Sequence, residues 1–229
     1  MEEIFKSLIE AFKLITSLDG EIYGIIALSL IVTIISTVFS SVLAIPSGIV
    51  ISSSEFPGKR LLTRLISTFM GLPPVVAGLV VYLMLSRKGP FGEFRLLFTP
   101  TAMVIAQILI IYPIVTGLTI GAVKLKLKPV METCAGLGLR RFKTLRLLFH
   151  ECRYPIISAF VAGYGRAISE VGAVMLVGGN IQYNTRIMTT AIVLETGKGN
   201  YDRALALGII LLFLSFFVNW LLQHFQEDL

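Results

Sequence analysis

"IYGIIALSLIVTIISTVFSSVLAIPSGIVI", Ile22 to Ile51, runs for thirty residues without a charged side chain. A bilayer's hydrocarbon layer is about 30 Å thick and takes about 20 helical residues to cross, so this stretch can span it. Its residues do not alternate polar and apolar over about ten positions, as the strands of a membrane barrel do, so it reads as helix. Four further stretches have the same character: about Leu61 to Ser86, Pro100 to Val123, Ile156 to Val177 and Arg203 to Leu222.

The whole composition agrees. Of 229 residues, 55% are hydrophobic and 15% charged, with a mean hydropathy of +0.83, against roughly 45–50% apolar and 25% charged in soluble domains. The expectation is an all-α membrane protein with five transmembrane helices and no room for a large soluble domain. Residues 1–20 form a separate piece. The start is acidic and lacks the long apolar core and cleavage site of a signal peptide. Ile4, Leu8, Phe12 and Ile15 recur at helical spacing against Glu3, Lys6, Glu10 and Lys13, the pattern of an amphipathic helix lying on the membrane surface or of a plain lead-in to the first span. Residues 21–229 make the transmembrane domain.

Basic residues set the orientation, because short loops rich in Lys and Arg stay in the cytoplasm. The loop of about 124–153 holds Lys124, Lys126, Lys128, Arg140, Arg141, Lys143, Arg146 and Arg153 against Glu132 and Glu151, a surplus of six that equals the formal net charge of the chain. With Lys59, Arg60 and Arg64 it puts eleven basic residues on one side, against eight on the other. Five spans then leave the N-terminus outside and the C-terminus in the cytoplasm. The adjoining spans explain this basic loop by topology, without nucleic acid. Cys134 and Cys152 fall in the same loop, where thiols stay reduced, and with His150 they match no zinc spacing.

Within that loop, "METCAGLGLRRFKTLRLLFHECRYP" (Met131 to Pro155) places a carboxylate, then small residues, then Gly138, then Leu139, Phe142, Leu145 and Phe149 at helical spacing beside basic residues. Such a helix lies on the bilayer or docks in a partner's groove, with Gly138 allowing a sharp turn before it. A second stretch, "YGRAISEVGAVMLVGGN" (Tyr164 to Asn180), puts Arg166 and Glu170 four residues apart inside an apolar run. A charge at the bilayer centre costs about 2.5–3.5 kcal/mol on insertion scales, so the two face protein or water rather than lipid. At i, i+4 they reach each other. They are either a packing ion pair or part of a path for an anion, softened so that the anion can leave. Gly163, Gly165 and Gly172 serve close helix packing or hinge freedom. Gly178, Gly179 and Asn180 end the span, as a helix stop or an outer gate. The stretch from Arg186 to Leu194 reads as a short amphipathic helix outside the membrane, offering a surface to a binding protein. Pro46, Pro73, Pro74 and Pro113 mark kinks.

Glu132-Thr133-Cys134-Ala135-Gly136-Leu137-Gly138 resembles the E-A-A-x-x-L-G opening of the coupling loop in permease subunits of bacterial and archaeal ATP-binding-cassette importers. "GRAISEVGAVMLVGGN" is similar to a segment of the sulfate, molybdate and tungstate permeases. "LPPVVAGLVVYLMLSRKGPFG", "LLFTPTAMVIAQ" and "IQYNTRIMTTAIVLETGKG" look closest to the tungstate-type members. Together these stretches cover most of the chain from the second span onward. The sequence departs from the general pattern at His150 and Glu151, where relatives carry Leu-Pro, and at Ser169, where many carry glycine.

This resemblance implies a type I importer permease, homodimeric in a prokaryotic cell membrane. Its partners would be two ATP-binding subunits and an external oxyanion-binding protein. Glu132, Thr133, Cys134 and Gly138 would match the coupling loop, with Leu139, Phe142 and Leu145 in the segment that docks on the ATPase. Arg166, Glu170 and Gly172 would lie at the translocation path or in an intramembrane ion pair, and Gly178, Gly179 and Asn180 at the outer gate. Cargo would be tungstate, or else molybdate. The chain has no G-x-x-x-x-G-K-[ST] phosphate loop, so it is not expected to be an enzyme or to bind a metal or cofactor, with ATP and magnesium on the partner. The rival is an anion channel or secondary transporter that needs no ATPase; transporters of that kind often show internal repeats, and none is visible here.

Overall fold

A computed structural model describes residue 9 and residues 20–227. The N-terminal helix expected over residues 1–20 lies outside the described residues. Nine α-helices follow among those that are described: α1 (Gly20–Ser53), α2 (Lys59–Met70), α3 (Pro74–Leu85), α4 (Pro100–Gly136), α5 (Arg141–Glu151), α6 (Arg153–Ile168), α7 (Gly172–Gly178), α8 (Met188–Gly197) and α9 (Tyr201–Glu227). The described residues contain no strand.

Three helices are continuous and apolar enough to cross a membrane, within α1, α4 and α9; counting each bent pair as one span, α2 with α3 and α6 with α7, gives five. The second and fourth expected spans are therefore broken rather than straight. At the first break the axis turns by 102°. Its cause is local: Gly71 closes α2, and Pro73 and Pro74, which lack N–H groups, can only start a new helix. At the second, Ser169 to Val171 interrupt the helix and the axis turns by 56°. Pro46 and Pro113, by contrast, sit inside unbroken helices.

The third span outruns its apolar stretch. Instead of ending at Val123, α4 continues through the lysine-rich segment to Gly136, thirty-seven residues in all, or about 55 Å at 1.5 Å per residue. Much of the expected loop is thus helix. α4 ends because Gly138 takes the left-handed conformation (φ 62°). Leu139 N–H donates to the Cys134 carbonyl (2.9 Å) and Gly138 N–H to that of Ala135 (3.1 Å), which satisfies carbonyls the helix end leaves free.

α1 and α4 form the most extensive helix pair. The buried face of α1 is small and hydroxylic: Ser29, Thr33, Ser36, Thr37, Ser40, Ala44 and Gly48 are all buried, and Ser36, Ser40 and Gly48 meet α4. Without a hydrophobic drive between helices in lipid, small residues permit close approach and hydroxyls bond across. A Cβ on Gly48 would stand 2.8 Å from the Thr119 side chain, and one on Gly78 of α3 only 2.6 Å from the Ala173 Cα of α7. One cluster, with Val81, Met103, Ala106, Val174 and Val177, joins α3, α4 and α7; another, with Cys134, Leu148, Cys152 and Ile156, ties the far end of α4 to α5 and α6.

Candidate functional site

The break between α6 and α7 carries the intramembrane charges. In an apolar setting each backbone group freed by such a break needs a partner. Three side chains supply them. Glu170 Oε1 accepts from the Ala173 N–H (3.0 Å), capping the start of α7. Gln107 of α4 donates to the Ala167 carbonyl (3.1 Å), and Thr189 of α8 to that of Glu170 (2.9 Å). Gln107 is in turn oriented by Ser36 of α1, which donates to its Oε1 (2.5 Å). Side chains from α1, α4 and α8 thus converge on one interruption.

Glu170 is buried at 3% side-chain exposure, and its Oε2 lies 3.6 Å from Arg166 Nη2, whose side chain stays 38% exposed. The pair is unequal. Glu170 is held inside by its capping bond, whereas the Arg166 side chain stays partly exposed. The small residues around the pair divide likewise. A Cβ on Gly163 would approach Val115 to 2.8 Å and one on Gly172 would approach Val75 equally closely, so both are packing contacts; Gly165 faces open space.

Gly178, the last residue of α7, and Gly179 and Asn180 after it join a tight loop cluster. Gly179 (φ 71°) and Asn180 (φ 51°) are left-handed. The α7 end is closed by Phe98 N–H on the Val177 carbonyl (2.9 Å) and by Thr185 Oγ1 on that of Gly178 (2.5 Å). Gly179 lies against the Phe98 ring, where a Cβ would come within 2.8 Å. Arg186 Nη1 and Gln182 Nε2 both donate to Glu21 Oε1 (3.1 and 3.0 Å), fastening this loop to the start of α1.

α8 corrects an expectation. The amphipathic surface helix read from Arg186 to Leu194 is instead Met188–Gly197, and its first four residues are buried. Ser29 of α1 accepts from the Met188 N–H (2.8 Å), so the α8 N-terminus is capped from inside the bundle. At its other end Glu195 accepts from Lys198 and Asn200 (both 2.9 Å). Bonds from Asn200 and then Lys198 hold its carboxyl below the usual carboxylate range.

At the far end of α4, Glu132 and Thr133 are exposed, with Lys128 4.0 Å from Glu132. Cys134 turns inward, buried beside Leu148 and Cys152. Burial pushes the Cys152 thiol up, opposed by Lys126 and aided by Glu151. Leu139 and Leu145 are half-buried against that cluster, while Phe142 is 78% exposed. The seven matched positions thus split into outward Glu132, Thr133, Gly138 and Phe142 and supporting Cys134, Leu139 and Leu145. Arg141 donates to Ser54 (2.6 Å), tying α5 to the end of α1. Gln107 and Ser36 escaped the sequence reading, although a lone amide in an otherwise apolar span is a signal for the first.

Known proteins resemble this chain in sequence. The chain is 40% identical over 228 residues, 100% of this chain and 100% of the relative to the nearest per cent, to the tungstate uptake system permease protein TupB of Peptoclostridium acidaminophilum. It is 42% identical over 209 residues to a probable anion ABC transporter permease protein of Haloferax volcanii, covering 89% of this chain and 90% of that one. A sulfate transport system permease protein, CysT of Salmonella typhimurium, is more distant at 26% over 209 residues, 86% of this chain and 75% of the relative. The model of the binding-protein-dependent transport system inner membrane component matches residues 41–229, and to that family of multi-pass ABC transporter permeases this chain belongs.

Proposed function

We propose that this chain is the membrane-spanning subunit of an ATP-driven importer for tungstate, with molybdate as the next candidate, working as a homodimer with two ATPase subunits and an external binding protein. The observation that carries this reading is the 40% identity over the full length of both chains to a tungstate uptake permease. Without a phosphate loop of its own, the chain leaves hydrolysis to the partner. The partner engages the outward residues Glu132, Thr133 and Phe142, on the cytoplasmic side. Cys134, Leu139 and Leu145 fix their positions from behind.

Arg166 supplies a positive field on the path, and Glu170 limits it. A tetrahedral dianion at an unpaired buried arginine would dwell too long, since a conducting site must bind weakly enough to release. Gly178, Gly179 and Asn180, fastened through Arg186 to Glu21, form the outer closure in the resting state.

Proteoliposomes that hold this chain with its ATPase subunits, supplied with the binding protein and labelled tungstate, test the proposal. ATP-dependent uptake that unlabelled tungstate suppresses and excess sulfate does not is the expected result. Uptake by this chain alone, without ATPase, would overturn it in favour of a channel or secondary transporter. Equal competition by sulfate would overturn the cargo assignment.

A further inference from the structure

Between the end of α1, α2 and α4 lies an open groove of about 1090 Å³. Its α2 wall is Arg60, Thr63, Arg64, Ser67 and Thr68, positions that share one helical face. The opposite face carries Leu61, Leu62, Leu65 and Phe69, all exposed. α2 turns from α3 by 102°, with its polar side toward the groove and its apolar side exposed. The groove lies at the ends of two long apolar stretches, where Ile51 and Val123 give way to Ser52 and Lys124, so it sits at headgroup depth.

Its charge is unbalanced. Lys59 is engaged by Glu55 (2.8 Å) and by the Ser52 carbonyl (3.0 Å). Arg60, Arg64 and, across the groove, Lys124 are exposed, and none of the ion pairs among the described residues involves them. Glu55 is the groove's one acid, and Lys59 already occupies it. Phe56 and Leu127 add apolar wall beside the three cations.

We propose that this groove is a binding site for a phosphate-class oxyanion, held by Arg60, Arg64 and Lys124. The apolar α2 face and the wall residues Phe56 and Leu127 favour the headgroup of an anionic phospholipid as its source. The three cations come from two helices, so occupancy fastens α2 to α4 and steadies the 102° turn into α3. This site is separate from Arg166 and does not depend on the cargo assignment.

The full-length chain, stripped of native lipid in neutral detergent, is offered phosphatidylglycerol or phosphatidylcholine of identical acyl chains, and bound lipid is counted by native mass spectrometry. Phosphatidylglycerol is expected to be retained in preference. Each of Arg60→Gln, Arg64→Gln and Lys124→Gln should weaken retention about fivefold, and the triple variant should abolish the preference. The matched triple Arg87→Gln, Lys88→Gln and Arg95→Gln, with the same charge removed elsewhere, should keep it. Equal retention of the two lipids with no binding of inorganic phosphate overturns the site, as does equal loss in both triples. Stoichiometric inorganic phosphate that depends on the same three residues, with no lipid preference, keeps the site and assigns it a free anion. Should the triple fail to fold, Lys124→Gln alone decides, since unchanged retention there overturns the proposal.

Discussion

Glu170 does two jobs with two oxygens. One caps α7 through the Ala173 N–H; the other faces Arg166. Substitutions separate them. Glu170→Gln keeps a capping oxygen while removing the charge, and should change the thermal stability of the detergent-purified chain by less than about 1 kcal/mol. Glu170→Ala removes the cap as well and should cost about 1–3 kcal/mol, as expected when a buried N–H loses its acceptor. Equal losses would mean that the ion pair, not the cap, carries the stability. Glu195 offers a second test at this scale. Its carboxyl is held below its ordinary range in the folded state, so it favours folding at neutral pH, and that contribution drains away as pH falls below about 4. Unfolding midpoints measured between about pH 6 and about pH 3 should decline more steeply for the natural chain than for Glu195→Gln.

Helices in this molecule meet through absent side chains as much as present ones. Gly78 lies against the Ala173 backbone, where a Cβ has 2.6 Å, whereas Gly165 faces open space. Gly78→Ala should therefore destabilise by about 1–3 kcal/mol, the usual cost of overpacking. Gly165→Ala should be neutral or stabilising by up to about 1 kcal/mol, through a better helix former. Comparing melting temperatures of the two variants checks both. The same elements show what could be read in advance. Thirty uncharged residues at Ile22–Ile51 could only be a spanning helix, and α1 covers them all. Gly138, seen beforehand as a turn, is left-handed. Breaks were legible in part: Pro73 and Pro74 marked a kink and the axis turns by 102° there, whereas the interruption at Glu170 depends on Gln107 and Thr189 from distant parts of the chain. Lysines hid the length of α4, because hydropathy marks where lipid ends and not where the helix does.

At the scale of the whole molecule, symmetry and stoichiometry are the next questions. Native mass spectrometry of the complex taken from its own membrane should find two copies of this chain with two ATP-binding subunits; an oligomer of this chain alone, even with an ATP analogue present, would argue for an ATPase-independent path. Glu132→Ala is expected to insert normally, with ATP hydrolysis persisting while uptake falls at least about tenfold, a loss of about 1.4 kcal/mol in transmission; undiminished uptake would remove Glu132 from the coupling role. The proposed contact with an ATPase rests on the resemblance, since the segment's own pattern said only that it lies on the bilayer or docks in a partner's groove.

The unbroken run of α4 from Pro100 to Gly136 also has a mechanical consequence. A rod of this kind behaves as a lever: over the thirty-two residue steps from Pro100 to Glu132 it is about 48 Å long, so a tilt of only about 5° about one end sweeps the other through about 4 Å. A small push on the outward end of that rod is therefore delivered, enlarged or reduced according to where the pivot lies, to the residues packed around Gln107, with no need for any part of the helix to unwind.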